Sequence, residues 1–160
     1  MITAVDTNIL LDVLIPEARA METSQQLLDA SLRQGSLVIG EVVYAELAAH
    51  FPTPEELESF LAATSIRLMP SQPPVLARAG RAWSGYIKRR RRGIACPACG
   101  RTQRLSCRHC GAALQARQHM VSDFLVGAHA EIQTDRLLTR DRGYYQTYFP
   151  ALSLIAQPSQ

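Results

Sequence analysis

The sequence has no long hydrophobic run and no basic leader at its N-terminus. Apolar stretches are short: Ile9-Leu10-Leu11, for example, ends at Asp12, far below the roughly 20 residues of a membrane-spanning helix. The segment Met1–Asp6 contains an acid and no lysine or arginine, unlike a secretory signal peptide. We therefore expect neither a transmembrane segment nor export, and we expect the protein in the cytoplasm of a bacterium or archaeon.

Acidic residues are missing from the middle of the chain. Residues 59–122 include no Asp or Glu but 12 of the 17 basic residues, so this window carries a charge of +12. The remainder has five basic residues against 14 acids, a charge of −9, and the total is the net +3. The mild net charge therefore conceals a strongly polarised chain, a pattern typical of proteins that bind a polyanion.

Short apolar segments alternate with helical periodicity, and 47% of the 160 residues are hydrophobic, which suffices for one packed domain. Buried strands are predicted at Ile2–Val5, Leu37–Ile39, Ile66–Met69, Leu137–Thr139 and Leu152–Ile155. Helices are predicted at about 18–34, at Val42–Phe51, after an N-cap at Thr53, at Pro74–Arg92 and at Ser122–Gln133. This alternation indicates an α/β sandwich around a mostly parallel sheet.

Four carboxylates occupy positions that invite a functional explanation. Asp6 and Asp141 each follow a predicted buried strand, and open α/β sheets bind ligands beyond the carboxyl ends of their strands. Glu46 interrupts an apolar helix face, where an unpaired carboxylate is costly to bury. Asp123 lies in the first turn of a helix. Structural explanations also exist: strand-end turns for Asp6 and Asp141, and a helix-dipole contact for Asp123.

If these acids converge, their mutual repulsion calls for a cation. Mg²⁺ and Mn²⁺ prefer hard oxygen ligands, retain water, and activate that water against a phosphodiester. The nearby acids Asp12, Glu17 and Glu41 are expected to be solvated or to lie at helix ends. His129 is expected to pack or to face solvent, and no histidine is assigned a catalytic role.

Four segments resemble, in the same order, the acidic motifs of PIN-domain nucleases, and most closely those of VapC-type toxins. The segments are Val5–Asn8, Val43–Leu47, Asp123–Ala130 and Leu138–Gly143. The resemblance implies a three-layer PIN-like sandwich and a Mg²⁺- or Mn²⁺-dependent endoribonuclease. It also implies a homodimer and a small VapB-like antitoxin as the partner.

The resemblance assigns roles to six residues. The catalytic, metal-holding acids are Asp6, Glu46, Asp123 and Asp141, and the supporting residues are Asn8 and Thr139. The supporting residues are expected to orient the carboxylates and their waters.

The chain has four cysteines, all in two C-x-x-C-G motifs. Disulfides are not expected in a reducing compartment, and two pairs of thiolates give the tetrahedral set of a closed structural Zn²⁺ site. The predicted zinc ligands are Cys96, Cys99, Cys107 and Cys110. Iron is an alternative metal, and His109 is an alternative ligand.

The PIN core does not need these cysteine motifs. Residues 93–117 are therefore predicted to form a zinc-ribbon insertion, and residues 1–92 and 118–160 a discontinuous nuclease domain. Such a short insert cannot bury a core, so metal binding must supply much of its folding free energy. The insertion either flanks the substrate groove or only staples a loop.

A basic run ends the helix before the insertion. Its residues are Lys88, Arg89, Arg90, Arg91 and Arg92. Five consecutive residues surround a helix, so they cannot all face one ligand, and a solvated surface is the alternative explanation. The acid-free window favours RNA contact, and arginine suits phosphate binding and stacking on unpaired bases. An acidic antitoxin segment fits the same surface.

The sequence thus predicts metal-dependent hydrolysis of RNA by a toxin that an antitoxin restrains. Two other functions fit: an rRNA-processing PIN nuclease, some of which carry zinc ribbons, and a non-catalytic RNA-binding module. The module would bind through the zinc ribbon and the basic run. The presence of all four acids together with Asn8 and Thr139 argues against it.

Overall fold

The computed structural model describes residues 1–15, 20–89, 94–95, 102–103, 105–114 and 120–155. The strands are β1 (Ile2–Val5), β2 (Ser36–Ile39), β3 (Ile66–Leu68), β4 (Ile94–Ala95), β5 (Thr102–Gln103), β6 (Leu105–Ser106), β7 (Ala113–Leu114), β8 (Arg136–Leu138) and β9 (Leu154–Ile155). The helices are α1 (Thr7–Leu14), α2 (Met21–Gln34), α3 (Glu41–Ala48), α4 (Pro54–Ala63), α5 (Pro73–Arg89), α6 (Val121–Gln133) and α7 (Arg142–Tyr148). None of the helices in these ranges is long and apolar enough to cross a bilayer.

Five strands form one parallel sheet in the order β3-β2-β1-β8-β9. The central strand β1 pairs with β2 and β8, with Ala4 opposite Val38 and Val5 opposite Leu138. Because crossovers between parallel strands are right-handed almost without exception, this strand order implies that α1–α4 cover one face of the sheet and α5–α7 the other. The predicted α/β sandwich is confirmed, and all five predicted strands are present, with ends that shift by one or two residues.

The inner strands β1, β2 and β8 are largely buried, as the middle of a sheet between two helical layers requires. Leu37, Val38 and Ile39 follow one another in β2, and all three are buried. Leu137 and Leu138 of β8 are also buried. Because neither run alternates with polar residues, each could be recognised in the sequence as a central strand.

Two short helices, α1 and α7, are not apparent from the sequence pattern. Each begins immediately after a candidate acid: Asp6 is the N-cap of α1, and Asp141 is the N-cap of α7. With eight and seven residues, these helices span about two turns, too few to show a repeating apolar face. The predicted cap at Thr53 is present, since its hydroxyl accepts the backbone N–H of Glu56 at 3.3 Å.

Seven of the ten aromatic residues form one cluster that joins α5, α6 and α7. Its members are Trp83, Tyr86, Phe124, Tyr144, Tyr145, Tyr148 and Phe149. Arg78 of α5 reinforces the layer through two hydrogen bonds to Glu131 of α6, at 2.6 and 3.2 Å. The cluster fixes α7, which begins directly after Asp141.

The segment predicted to be a zinc-ribbon insertion is described only in part. β4 pairs with β5, and β6 pairs with β7, both antiparallel and with two residues in each strand. Strands this short show no alternation in the sequence, and these were not predicted. The predicted boundaries at 92–93 and 117–118 lie outside the described residues, as do Cys96 and Cys99.

Candidate active site

The adjacent ends of β1 and β8 bring Asp6 and Thr139 together. The backbone N–H of Asp6 donates to the carbonyl of Leu138 at 3.0 Å, which continues the pairing of the two strands. The Thr139 hydroxyl is fully buried; it donates to Oδ2 of Asp6 at 2.6 Å and accepts the backbone N–H of Asp141 at 3.0 Å. One hydroxyl therefore links two of the candidate acids.

The carboxylate of Asp6 is anchored through one oxygen. Its Oδ2 accepts hydrogen bonds from the Asn8 amide at 2.8 Å, the Thr139 hydroxyl at 2.6 Å and the Tyr145 phenol at 3.3 Å. The Asn8 Oδ1 in turn accepts the backbone N–H of Arg140 at 3.2 Å. All three side-chain donors lie on the same oxygen, so none of them occupies Oδ1 of Asp6.

Asp6 is a desolvated acid. Asp6 is only 8% exposed, and this burial raises the pKa of its carboxyl group. Hydrogen bonds from Thr139 and Tyr145 lower this pKa and only partly offset the burial, while the charge of Glu46 raises it further. Among the described residues, no basic side chain forms an ion pair with Asp6. Such a carboxylate is stabilised by a bound cation.

Glu46 reaches the same region from α3. Its Oε2 accepts a hydrogen bond from the hydroxyl of Thr7, the residue after Asp6. The expectation that Glu46 interrupts a buried face is wrong, because its side chain is exposed. Val43 and Leu47 of the same helix turn inward instead and are buried. Glu46 is therefore an accessible carboxylate beside Asp6. The cost of burying a charge, which made Glu46 a candidate in the sequence, does not apply to it in the structure.

Asp123 and Asp141 each contact the N-terminus of their own helix. Asp123 Oδ2 accepts the Met120 backbone N–H at 2.8 Å, and Asp141 Oδ1 accepts that of Tyr144 at 3.1 Å. Both acids also influence one phenol: burial raises the pKa of Tyr144, and the charges of Asp123 and Asp141 raise it further. Burial also raises the pKa of Tyr145, and the charges of Asp6 and Asp123 raise it further. Asp123 and Asp141 therefore accept backbone N–H groups at the starts of their helices and lie near the phenols of α7.

The four acids supply suitable donors for a hard divalent cation, but they are not grouped as a ready ligand set. Within the part of the chain that the structure describes, no three His, Cys, Asp or Glu side chains lie close enough to hold a metal ion. Carboxylate oxygens are the donors that Mg²⁺ and Mn²⁺ prefer, and the buried carboxylate of Asp6 is the kind of group that a cation stabilises. The donor chemistry thus fits such an ion.

Two contributors to this region were missed in the sequence. Asp12 lies in the last turn of α1, one of the two settings predicted for it, but it is buried rather than solvated. Its Oδ1 lies 3.0 Å from Nη1 of Arg140, and its Oδ2 accepts the Ser24 hydroxyl at 2.7 Å. It lies one helical turn after Asn8, a spacing that could have placed it on the same face of α1. The Tyr145 contact with Asp6 spans 139 positions, and no local pattern reveals it.

His129 packs inside the fold, one of the two outcomes expected for it. It is buried, and its Nε2 lies 2.8 Å from the carbonyl oxygen of Met69. Because a carbonyl only accepts, Nε2 carries the proton of the neutral ring. Burial lowers the pKa of His129, which favours this neutral form. The ring therefore joins α6 to the segment after β3.

Cys107 and Cys110 lie in a tight turn between β6 and β7. The backbone N–H of Gly111 donates to the carbonyl of Cys107 at 2.9 Å, and Gly111 has a φ of 71°, a conformation that suits glycine. Hydrogen bonds from the backbone N–H groups of Cys110 and His109 lower the pKa of the Cys107 thiol. Two backbone amides therefore favour the thiolate form of Cys107, the form in which a cysteine binds metals or acts as a nucleophile.

The basic run is described only at its first two residues, and with a side chain only at Lys88. Lys88 is exposed, whereas Arg90, Arg91, Arg92 and the side chain of Arg89 lie outside the described part. Elsewhere in the basic window, Arg78 is engaged by Glu131. The RNA-binding role of the run stays a prediction.

No protein-family model and no curated protein matches the chain. One chain of VapBC2 from Rickettsia felis bound to a promoter DNA fragment is 16% identical, with 99% of this chain and 100% of that one covered and a TM-score of 0.60. A chain of VapBC-1 from nontypeable Haemophilus influenzae is 16% identical, with 98% of each chain covered and a TM-score of 0.58. A chain of FitAB bound to the IR36 DNA fragment is 18% identical, with 100% of this chain and 99% of that one covered and a TM-score of 0.61. The likeness shows the fold: the predicted PIN-like sandwich is confirmed.

Proposed function

We propose that this protein is a metal-dependent endoribonuclease and the toxin of a type II toxin–antitoxin pair. The observation that carries the proposal is the desolvated carboxylate of Asp6, held through one oxygen at the carboxyl edge of the sheet. Ligands of open α/β sheets bind at this edge, and an uncompensated buried carboxylate favours a cationic ligand. The full-length likeness to VapBC and FitAB chains supports the assignment to a nuclease fold.

The acids and their supporting residues have separate roles in this proposal. The residues that would hold Mg²⁺ or Mn²⁺ are Asp6, Glu46, Asp123 and Asp141. When bound, the cation supplies an activated water for attack on a phosphodiester. Asn8 and Thr139 fix Oδ2 of Asp6 by hydrogen bonds and leave its other oxygen for the ligand.

The proposed partner is a small VapB-like antitoxin, and the proposed assembly is a homodimer. The similar structures are two-component VapBC and FitAB complexes, and two of them hold DNA fragments. RNA is the proposed substrate of this chain, with the run from Lys88 to Arg92 as a contact surface, because the acid-free window attracts phosphates. The proposed site of action is the cytoplasm.

Purified protein is expected to cleave single-stranded RNA with Mg²⁺ or Mn²⁺ and to lose this activity in EDTA. Glu46→Gln should lower the rate at least about 100-fold. Replacing a residue that only supports a metal ligand typically lowers activity 10–100-fold, and loss of a ligand itself should cost more. Glu41→Gln is the matched control on the same helix: Glu41 is also exposed, but it accepts its hydrogen bonds from Ser71. Gel assays with a labelled oligonucleotide measure both rates.

Equal rates for the wild type and Glu46→Gln would contradict the assigned role of Glu46. RNA binding without cleavage in any divalent metal would instead favour the non-catalytic module. An upstream reading frame for a small antitoxin distinguishes the toxin from an rRNA-processing nuclease.

We further propose that the insertion binds one structural Zn²⁺ through Cys96, Cys99, Cys107 and Cys110. The turn at Cys107 supports one half of this set, because two backbone amides stabilise its thiolate. The C-x-x-C-G repeat in the sequence supplies the other half. A closed site of four thiolates has no open position for catalysis, so the zinc is structural.

Metal analysis is expected to find about one zinc per chain, the stoichiometry of a single four-thiolate site. Cys107→Ser should lose this zinc, whereas His109→Ala, in the same turn, should retain it. A zinc-free preparation that remains fully folded would refute the ribbon. Zinc loss in His109→Ala with retention in Cys107→Ser would identify the histidine as the ligand instead.

A further inference from the structure

Asp12 is a buried acid that the proposed chemistry does not use. It is 3% exposed and lies on α1, one turn after Asn8. Its two oxygens are both engaged: Oδ1 by Arg140 Nη1 at 3.0 Å, and Oδ2 by the Ser24 hydroxyl at 2.7 Å. Ser24 belongs to α2 and is fully buried. Asp12 is thus locked between α2 and the segment that follows β8.

Arg140 is held at two points by α1. Its guanidinium is paired with Asp12, and its backbone N–H donates to Oδ1 of Asn8 at 3.2 Å. Its neighbours in the chain are Thr139, whose hydroxyl donates to Asp6, and the candidate acid Asp141. The ion pair therefore ties residues 139–141, here called the 139–141 loop, to the helix that Asp6 begins.

We propose that Asp12 is a positioning residue that holds the 139–141 loop, and with it Thr139 and Asp141, in register with Asp6 for metal binding. This inference rests on the proposed metal-dependent function. Asp12 acts through Arg140 and touches neither metal nor substrate. Loss of the pair would remove the link between the loop and the last turn of α1 and leave the hydrogen bonds from Asn8 at the start of that helix. The carboxylate of Asp141 would then be set less accurately against that of Asp6.

Asp12→Asn is the informative substitution. The new amide oxygen can still accept the Ser24 hydroxyl, so the contact between α1 and α2 is kept. The released guanidinium is 46% exposed and remains hydrated, so no buried charge is stranded. Replacement of Arg140 would instead leave the carboxylate of Asp12 buried without its cation, which makes it the less specific change.

The test measures Mn²⁺ affinity directly, by electron paramagnetic resonance or calorimetry on full-length protein without RNA. Asp12→Asn should weaken Mn²⁺ binding 10–100-fold, the usual effect of removing a group that supports metal ligands. Cleavage should recover as Mn²⁺ is raised, with an unchanged KM for RNA. Glu131→Gln is the matched control: it breaks the Arg78 pair, which is also largely buried but lies between α5 and α6.

Each outcome decides a separate point. Wild-type affinity in Asp12→Asn, or equal losses in Asp12→Asn and Glu131→Gln, overturns the positioning role and leaves the proposed metal site intact. A wild type that binds no Mn²⁺ overturns the metal site and this inference together. A selective loss in Asp12→Asn supports both.

Discussion

Asp6→Asn is expected to abolish RNA cleavage and at the same time to raise the melting temperature of the metal-free protein. The substitution removes a charge that burial destabilises, while the new amide oxygen can accept the hydrogen bonds from Asn8, Thr139 and Tyr145. Removal of a buried charge that has no ion-pair partner among the described residues should therefore stabilise the metal-free fold. A gain of the order of 1 kcal/mol shifts the melting temperature of a domain of this size by roughly 2–4 °C.

The stability difference should depend on pH in a defined direction. The pKa of Asp6 is higher in the folded protein than in the unfolded chain, so between these two values the folded state binds more protons. Wild-type stability therefore falls as the pH rises through this window, and the deficit is complete above the folded-state pKa. Asp6→Asn lacks this dependence, so its advantage should be larger at pH 7.5 than at pH 5, measured by calorimetry in EDTA.

Added Mn²⁺ should reverse the comparison. A cation at the site stabilises the wild type by mass action, whereas Asp6→Asn lacks the charged ligand and should respond much less. Asp12→Asn is the matched control, since it is the same substitution at a buried acid that has a cation, Arg140. It should lower the melting temperature in EDTA. If Asp6→Asn also lowered it, the view of Asp6 as an uncompensated charge would be wrong.

The central sheet could be predicted because its evidence is local. Runs such as Leu37-Val38-Ile39 are apolar without alternation, and the acids that follow strands stand out against such runs. Since parallel strands end at one edge, Asp6 and Asp141 could be expected at the same edge before any contact was known. Asn8 and Thr139 were assigned by resemblance, and both donate to Asp6 in the structure.

The remaining features depend on contacts between distant residues. Asp12 looks solvated in the sequence because its cation, Arg140, lies 128 positions away. Glu46 looks buried because its neighbours are apolar, but α3 buries Val43 and Leu47 and leaves Glu46 exposed. Burial of a charged side chain depends on its tertiary partners, and a helical pattern alone does not report them.

Gly127→Ala is expected to destabilise the fold strongly, because the added methyl group would overlap a buried aromatic ring. A Cβ at Gly127 would lie 2.3–2.8 Å from three ring atoms of Phe149. The ring cannot withdraw easily, because it is fully buried and the Arg78 guanidinium lies 4.6 Å from its centroid. Overpacking of this kind costs about 1–3 kcal/mol or more. Denaturant unfolding should show this loss, and α7, which carries Tyr145, should be displaced from Asp6.

Gly80→Ala supplies the control, because Gly80 is also helical but a Cβ added there would meet no described atom within 4 Å. It should stabilise the protein by about 0.5–1 kcal/mol, since alanine favours helix and restricts the unfolded chain. Adding Phe149→Leu to Gly127→Ala tests the cause. If the clash with the ring is responsible, the double variant should lose less stability than the two single losses added together. Additive losses would instead mean that the harm at Gly127 arises elsewhere in α6.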